Sequence, residues 1–271
     1  MTGNPDNSPR AALVTGAGQR IGAAIARGLA ADGWHVAVHY NTSESEAAKA
    51  VAAIEAEGGT AVAVRANLAD PATLPGLIEQ AQAVVGPLSC LVNNAARFAS
   101  DSAGKNAFDI VTASSFDAHM AVNLRAPLLL AQEFAKRLDP STPRGVVVNL
   151  LDQKLANMNP DFASYTLSKA GLAAATTLLA QALAPRVRVV GVAPGLTLPW
   201  DDSASGGRAE QPFNEIHDAT PLERGSTPTD IAGAVRYLVG ADAITGDVLY
   251  VDGGQHLAPS AHDVMFKPRS E

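Results

Sequence analysis

Short apolar runs and longer alanine-rich segments alternate along this chain. Seven runs rich in strand-forming residues are predicted to be β-strands: Ala11–Thr15, His35–His39, Ala61–Arg65, Ser89–Val92, Gly145–Leu150, Val187–Val192 and Val248–Val251. Six segments with helical periodicity are predicted to be helices: Arg20–Asp32, Ser43–Glu57, Pro71–Val85, Ser114–Leu138, Phe162–Leu183 and Pro228–Val239. Strict alternation implies right-handed βαβ crossovers and a parallel sheet covered on both faces. We therefore expect an α/β, Rossmann-type fold: a doubly wound, seven-stranded parallel sheet in a three-layer α/β/α sandwich.

This pattern runs through one domain. The chain has 271 residues, of which 47% are hydrophobic and 17% are charged, so a single domain can bury a large core. No linker or solenoid-type repeat divides it. We expect residues 1–9 to be a flexible N-terminal tail, 10–257 a single dinucleotide-binding catalytic domain, and 258–271 a polar C-terminal tail.

The segment Leu196–Pro221 has no strand pattern. Long segments without regular structure often cover binding sites in compact domains. We predict a loop that closes over a substrate, with Leu196, Trp200 and Phe213 as the closing residues. Core packing and simple disorder are the alternatives for each of them.

Charge and cysteine content exclude several classes of protein. The formal net charge is −7 and no basic run is present, which argues against a nucleic-acid-binding protein. Cys90 is the only cysteine, so no intramolecular disulfide can form, and its apolar neighbours predict a buried thiol. The six histidines show no metal-ligand spacing. Without a signal-like segment or a membrane-spanning run, the chain is expected to be a soluble, cytoplasmic protein.

Three side chains form a candidate acid-base site. Tyr165 and Lys169 are four residues apart on a predicted helix and therefore share one face. An adjacent ammonium lowers the pKa of a phenol, which makes the phenol useful for proton transfer. Asp152 stands thirteen residues before Tyr165 at the end of an apolar run. The alternative is a tyrosine and a lysine that share a solvated helix face by chance.

A glycine-rich turn, Thr15–Gly22, joins the first strand to the first helix. Glycines at such a turn let the backbone approach a pyrophosphate, and the helix N-terminus attracts it. This context favours a dinucleotide site over a purely structural turn. Arg20 lies near the first helical turn, where a cation opposes the helix dipole unless an anion is bound; an arginine that points into solvent is the alternative.

Taken together, these motifs are similar to those of the short-chain dehydrogenase/reductase family over nearly the whole chain. The residues that carry the resemblance are Thr15–Gly22, Asn93–Ala95, Asn123, Tyr165 with Lys169, Pro194–Gly195, and Val251–Gly254.

The chain departs from the family pattern at two positions. Arg20 stands where the family normally has glycine, and Asp152 stands where it has a catalytic serine. Both residues resemble the branch of pteridine reductases and dihydromonapterin reductases, in which Phe98 matches an aromatic residue that stacks on the pterin. Other interpretations stay open: Asp152 as a cap, Phe98 as a core residue, or a carbonyl reductase with an unrelated substrate.

The end of the second strand indicates the cofactor. NAD enzymes of this fold place a carboxylate there, whereas this chain has His39 to Ser43, which favours NADP(H) over NAD(H). Ser43 and Glu46 also match a capping box. The resemblance implies the following cofactor-binding residues: Gly16, Gln19, Arg20, Ile21, Tyr40, Asn41, Thr42, Ser43, Asn67, Leu68, Asn93, Ala95, Tyr165, Lys169, Pro194, Gly195 and Leu196.

The same resemblance implies a reductase that transfers hydride to a C=N group of a dihydropterin or to a C=O group of another small molecule. Tyr165 would donate the proton, Lys169 would lower its pKa, and Asn123 would orient water. The substrate would contact Arg20, Phe98, Asp152, Tyr165 and Trp200. A ketone or aldehyde reductase, an alcohol dehydrogenase and a non-catalytic NADP(H)-sensing protein are the alternatives. Broadly apolar helices suggest subunit contacts, and the family is usually tetrameric, so a homotetramer is expected.

Overall fold

A seven-stranded parallel sheet forms the centre of the molecule. The computed structural model describes residues 10–99, 111–199, 201–202, 207–208 and 210–263. The sheet contains strands β1 (Ala11–Val14), β2 (His35–Tyr40), β3 (Thr60–Arg65), β4 (Leu88–Asn93), β5 (Gly145–Leu150), β6 (Val187–Pro194) and β9 (Val248–Val251). Their order is β3-β2-β1-β4-β5-β6-β9, and every neighbouring pair is parallel. Strands β7 (Asp201–Asp202) and β8 (Gly207–Arg208) form a separate antiparallel pair.

Helices cover both faces of this sheet. The helices are α1 (Arg20–Ala31), α2 (Glu44–Ala56), α3 (Leu74–Val85), α4 (Ala113–Met120), α5 (Ala126–Lys136), α6 (Ala163–Leu183), α7 (Glu210–Asp218) and α8 (Pro228–Gly240). Successive side chains of β1 point to opposite faces. Val14 joins a core with α1, α2 and α8, whereas Leu13 joins a core with α3, α5 and α6. The predicted three-layer α/β/α fold is confirmed.

Strand order reverses between β1 and its neighbour β4. In open α/β sheets, the crevice for a ligand lies at the carboxyl ends of the strands beside such a reversal. The glycine-rich turn leaves β1 at this edge, and Asn93 to Ala95 leave β4 beside it. The topology therefore brings together motifs that are about eighty residues apart in sequence, as in the hydrogen bond from Ala95 N to Thr15 Oγ1.

The predicted helix Ser114–Leu138 is confirmed as a helical segment, but it contains a π turn that the sequence did not predict. A π-helical turn, Ala121–Arg125, separates α4 from α5. Pro127, near the start of α5, has no N–H to donate, and its ring would clash with the carbonyl four residues earlier, that of Asn123. The chain widens there into a π turn, a feature that is frequent at functional sites.

The segment Leu196–Pro221 contains regular structure, which the sequence did not predict. Helix α7 occupies Glu210–Asp218 within it. Its partly buried positions, Phe213, Ile216 and His217, give only one narrow stripe at helical spacing. Three partly buried positions in an otherwise polar segment are too few to predict a helix from the sequence. Trp200, Gly206 and residues 1–9 lie outside the described residues.

Two further details differ from expectation. Ser43 is the N-cap of α2, but its hydroxyl makes no capping hydrogen bond, and Glu46 pairs with Lys49 at 3.0 Å. The backbone of Ser43 is not extended there, so its side chain does not point at the first-turn amides. The first part of the predicted C-terminal tail, residues 258–263, has defined contacts, because Asp263 N donates to Asp161 Oδ2 at 2.8 Å. Within the described part of the chain, none of the helices has the length and apolarity that a bilayer crossing needs.

A capping box fixes the start of α8, which covers the sheet next to α1. The hydroxyl of Thr227 accepts from Asp230 N, and the carboxylate of Asp230 accepts from Thr227 N. We predict that Thr227→Ala lowers the free energy of unfolding by about 0.5–2 kcal/mol, because the N-terminal amides lose an acceptor. Urea denaturation followed by circular dichroism measures the loss. Thr229→Ala, an exposed threonine in the same turn, is the matched control, and equal losses in both variants would contradict the capping role.

Candidate active site

The glycine-rich turn lies flat against the chain that leaves β4. Gly16 has φ of +62°, and a Cβ there would lie 2.9 Å from Ala95 Cα. A Cβ on Gly22 would lie 2.3 Å from the carbonyl oxygen of Gly16. Both positions therefore require glycine. The turn ends at Gln19, the N-cap of α1, whose side chain makes no capping hydrogen bond.

Arg20 begins α1 with φ of +55°, in the left-handed region where residues other than glycine are uncommon. Such a backbone costs on the order of 1 kcal/mol or more for a residue with a Cβ. Glycine would avoid this cost. An arginine that keeps this left-handed backbone directly after a glycine-rich turn fits a role in binding an anion. Ile21, the second residue of α1, is partly buried and packs against the core between α1 and the sheet.

His39 clamps the turn from β2. Its Nδ1 accepts from Gly16 N at 3.0 Å, and its carbonyl accepts from Ala17 N at 2.9 Å. With Nδ1 as an acceptor, Nε2 carries the proton and donates to Ala66 O at 3.1 Å. Burial lowers the pKa of His39 to about 4, so the ring stays neutral and can accept this bond. This clamping role of His39 was not predicted from the sequence.

Asn94 and Thr15 also hold the turn, although neither was predicted as a site residue. Asn94 Nδ2 donates to Thr15 O at 2.8 Å and to Gly16 O at 3.1 Å. Thr15 Oγ1 accepts from the backbone N–H groups of Asn94 and Ala95. The predicted residue Asn93 is instead buried and donates to Asn149 Oδ1 at 2.8 Å, so its side chain joins β4 to β5. Asn93 and Asn94 are identical neighbours in the sequence, so their different hydrogen-bond partners could not be predicted from it.

Polar groups surround the carboxyl end of β2. Tyr40 ends the strand, Asn41 and Thr42 are exposed, and Ser43 starts α2. Arg65 Nε donates to Asn41 O at 3.1 Å, which brings a guanidinium to this corner. On β3's side, Asn67 is exposed, and Leu68 is buried beneath it.

A second turn closes the other side of the crevice after β6. Gly195 N donates to Val251 O at 3.1 Å, and Leu196 N donates to Gln255 Oε1 at 3.1 Å. A Cβ on Gly195 would lie 2.7 Å from Gln255 Oε1. His217 of α7 also forms a hydrogen bond here: its Nε2 and Leu196 O are 2.6 Å apart. Pro194 and Gly195 are thus fixed by β9 and the residues after it, and Gln255 is a contributor that the sequence did not reveal.

The phenol of Tyr165 donates to the carboxylate of Asp152, with Oη and Oδ2 2.8 Å apart. Asp152 Oδ1 accepts from Lys154 N at 2.9 Å, so one oxygen caps a short 3₁₀ helix while the other faces the phenol. Asp152 therefore caps this helix, which is one of the two roles that the sequence left open, and it also contacts Tyr165. Burial raises the pKa of Asp152. Burial, followed by the charge of Asp152, raises the pKa of Tyr165 well above its usual value.

Lys169 lies on the same helix face as Tyr165, as predicted. Its Nζ donates to Leu150 O at 2.6 Å and is 5.7 Å from the centre of the Tyr165 ring. Burial lowers the pKa of Lys169 to about 8. The ammonium was expected to lower the pKa of Tyr165, but burial and the neighbouring carboxylate dominate, so the phenol keeps its proton.

Asn123 occupies the π turn and is buried. It accepts from Arg97 N at 2.7 Å and donates to Arg97 O at 2.9 Å and to Ser168 Oγ at 3.0 Å. Within the described residues, its hydrogen bonds go to these partners and not to Tyr165 or Lys169. Asn123 therefore joins the chain after β4 to the helix that carries Tyr165.

Phe98 presents an aromatic surface beside the phenol. Its side chain is 50% exposed, so it is not a core residue. Its ring meets Tyr165 edge to face at 4.9 Å and Phe162 at 4.7 Å, measured between ring centres. An exposed ring next to a proton donor and a carboxylate can hold a flat substrate with polar edges.

These features fit a dinucleotide with two phosphates and a nicotinamide. The glycine turn leaves room for backbone contact with a pyrophosphate, α1 offers its N-terminus, and Pro194–Leu196 follow β6 at the same carboxyl edge of the sheet. Gly16, Gln19, Arg20 and Ile21 would hold the pyrophosphate, and Lys169 and Tyr165 would contact the nicotinamide ribose. Such a site can combine hydride transfer with proton donation.

Residues 16–256 match the profile of the family described as enoyl-(acyl carrier protein) reductase. The chain belongs to the short-chain dehydrogenase/reductase family. It is an oxidoreductase of that family, as its sequence motifs predicted.

Members of this family with known activities are similar over almost the full chain. FolM alternative dihydrofolate reductase 1 from Brucella canis, crystallised with NADP, is 41% identical with a TM-score of 0.81; the match covers 92% of this chain and 95% of that one. The angucycline C-6 ketoreductase LanV with bound NADP is 30% identical, with a TM-score of 0.81 and coverages of 92% and 96%. The 3-oxoacyl-[acyl-carrier-protein] reductase FabG of Staphylococcus aureus is 33% identical over 252 residues, which are 92% of this chain and 98% of the relative.

The carboxylate of Asp152 should control the ionisation of Tyr165. We predict that Asp152→Asn lowers the pH at which Tyr165 ionises, because the neutral amide no longer repels the phenolate. Ultraviolet difference titration near the tyrosinate band, with Tyr165→Phe subtracted, measures this ionisation. Asp117→Asn, an exposed acid on α4, is the control. A titration curve for Asp152→Asn that matches the wild type would contradict the coupling.

Proposed function

We propose that this chain is an NADPH-dependent reductase that transfers hydride to the C=N group of a dihydropterin-like substrate, with Tyr165 as the proton donor. The observation that carries the proposal is the hydrogen bond of 2.8 Å between Tyr165 Oη and Asp152 Oδ2, beside the exposed ring of Phe98. NADPH supplies the hydride when bound. The side chains supply the orientation of the substrate and the proton.

A carboxylate beside the phenol suits a pterin better than a simple ketone. A pterin presents amino and N–H donors next to its reducible ring, and an ionised carboxylate can accept from them. A protonated carboxylic acid can donate instead, and burial raises the pKa of Asp152 toward that form. Phe98 offers a face for stacking, and Arg20 would add polar anchoring. Trp200 stays a predicted substrate contact.

Proton delivery falls to Tyr165 and the groups behind it. The phenol keeps its proton near neutral pH because burial and Asp152 raise its pKa. It can pass that proton to the substrate nitrogen and regain one from Asp152 when that group is protonated. Lys169 stays close enough to stabilise a transient phenolate. Asn123 positions the backbone of Arg97, and through it the approach to Phe98.

NADP(H) is the cofactor that we assign. FolM and LanV, two similar proteins, are described with NADP bound. In this chain, the end of β2 carries neutral residues, Tyr40 to Ser43, where a carboxylate would repel a 2′-phosphate. Arg65, held at Asn41 O, adds a positive charge at the same corner. Asn67 and Leu68 would border the adenine.

A carbonyl reductase is the second candidate. LanV is described as a ketoreductase and FabG as a 3-oxoacyl-[acyl-carrier-protein] reductase, and both are similar to this chain over more than nine tenths of its length. Tyr165 can protonate a ketone oxygen as readily as a nitrogen. Phe98 favours a flat substrate over an acyclic one in either candidate, because only a flat ring gains from stacking on it.

Assembly and location belong to this proposal. Leu167 and Leu178, 48% and 65% exposed, lie eleven residues apart on α6 and so share one face. Two such exposed leucines on one helix support a homotetramer through helix packing. The buried single cysteine Cys90 suits a reducing cytoplasm. We keep 10–257 as the catalytic domain.

The proposed reaction predicts NADPH oxidation that depends on a dihydropterin and on Tyr165. Tyr165→Phe should lower kcat by about 10²- to 10⁴-fold, because the general acid is lost while the ring still packs. Loss of NADPH absorbance, with the tetrahydropterin confirmed by chromatography, measures turnover. Tyr237→Phe, a tyrosine 60% exposed on α8, should behave as the wild type. A wild type that turns over ketones but no dihydropterin would favour the carbonyl reductase.

Cofactor choice should depend on the charge at Asn41. We predict that Asn41→Asp reduces kcat/KM for NADPH about tenfold or more, since a carboxylate repels the 2′-phosphate, while kcat/KM for NADH is kept or improved. Steady-state kinetics with both cofactors measures the ratio. Gln80→Glu adds the same charge on an exposed face of α3 and serves as the control. An unchanged ratio in Asn41→Asp would place the 2′-phosphate elsewhere.

A further inference from the structure

The loop that carries Asp152 is joined to the segment after β9 at several points. Asn157 Nδ2 donates to His256 O, and Lys154 Nζ donates to Asp263 Oδ2 at 2.9 Å. Asp263 N donates to Asp161 Oδ2 at 2.8 Å. Residues 256–263 therefore contact the loop 152–162 from its beginning to its end, although sequence patterns predicted a tail from residue 258.

Lys154 and Asp263 form a buried ion pair. The two side chains are only 3% and 14% exposed. Lys154 Nζ is also 5.5 Å from the centre of the Phe162 ring, and Lys154 N donates to Asp152 Oδ1 at 2.9 Å. Removal of one partner of such a pair leaves a charge without compensation in a poorly solvated site. Lys154 Nζ also donates to Asn159 Oδ1 at 2.5 Å, so Asp263 is the charged one of the two side chains that hold Lys154.

The far end of the loop is strained. Phe162 has φ of +54°, in the left-handed region, immediately before the helix that carries Tyr165. A bulky residue keeps this backbone only where its surroundings fix it, and such strain is common at functional sites. Asp161, which is fully buried, is held by Asp263 N, and Phe162 stacks on the exposed ring of Phe98. The same short segment thus restrains both neighbours of the aromatic surface.

We propose that Asp263 is a positioning residue of the substrate site: through Lys154 and Asp161 it holds the strained corner at Phe162, and thereby the exposed ring of Phe98, which packs on buried Phe162 and receives a flat bicyclic substrate. This inference rests on the ring-binding site of the proposed function. The segment 258–263 then supports the active site without contacting the substrate. The charge of Asp263 also adds to the effect of burial on the pKa of Asp152, which agrees with its closeness to the proton donor.

The test separates binding of the ring from binding of the cofactor. The dissociation constant of folic acid, an oxidised pterin, is measured by fluorescence with NADP⁺ saturating, and that of NADP⁺ is measured alone. Asp263→Asn and Lys154→Met should each weaken folic acid about tenfold while NADP⁺ affinity stays within about twofold. Asp263→Glu, which keeps the charge, should retain most of the affinity.

A double variant tests the pair itself. Lys154→Met with Asp263→Asn should lose less than the two single losses combined, because each single variant leaves one buried charge unpaired. Lys136→Met, which removes an exposed lysine paired with Glu133 on α5, should change neither constant.

Three outcomes would overturn the inference. Asp263→Asn could bind folic acid as tightly as the wild type, it could lose NADP⁺ and folic acid affinity equally, or the wild type could bind no folic acid. Failure of the proposed reaction looks different, because a wild type that binds folic acid but reduces no dihydropterin leaves the affinity comparison intact.

Discussion

Burial of polar groups at the carboxyl edge of the sheet is the constraint on which the rest of this structure depends. Parallel strands end there in the protein interior, so each side chain must find a partner within the protein or change its protonation state. Asn93 donates to Asn149, and Asn149 donates to Thr176, which joins β4, β5 and α6. His39 stays neutral and links β2 to the glycine turn. The network leaves the turn rigid before any ligand binds.

The same burial prepares the acid-base groups. Desolvation favours the uncharged form of each group, so the pKa of Lys169 falls to about 8 while the pKa values of Tyr165 and Asp152 rise. A phenol that keeps its proton is ready to donate it. The ionised form of Asp152 raises the pKa of Tyr165, whereas only its protonated form could return a proton to the phenolate. Poor solvation at this edge of the sheet therefore sets the protonation states that the proposed acid-base roles require.

Sequence patterns predicted the sheet and most helices because long periodic segments repeat one signal many times. All seven strands of the sheet were found from such runs, and Tyr165, Lys169 and Asp152 do meet. The π turn at Asn123 was missed because it arises from one proline against one carbonyl. Helix α7 was missed because it buries only a narrow stripe. Contributors such as Asn94 and Gln255 act through backbone contacts, which no residue pattern encodes.

Two residues beside the proposed binding site adopt a backbone conformation that their residue types disfavour. Arg20 and Phe162 both adopt left-handed backbones that suit glycine, one where the pyrophosphate would lie and one beside the aromatic surface. In each place a side chain is present that glycine could not supply, a guanidinium in the first and a ring in the second. A third residue, Glu223, adopts the same left-handed backbone between α7 and α8, so strain alone does not mark a binding region. At Phe162 the strain matters because the loop before α6 then needs support from outside, and the contacts of Asp263 with Lys154 and Asp161 supply it.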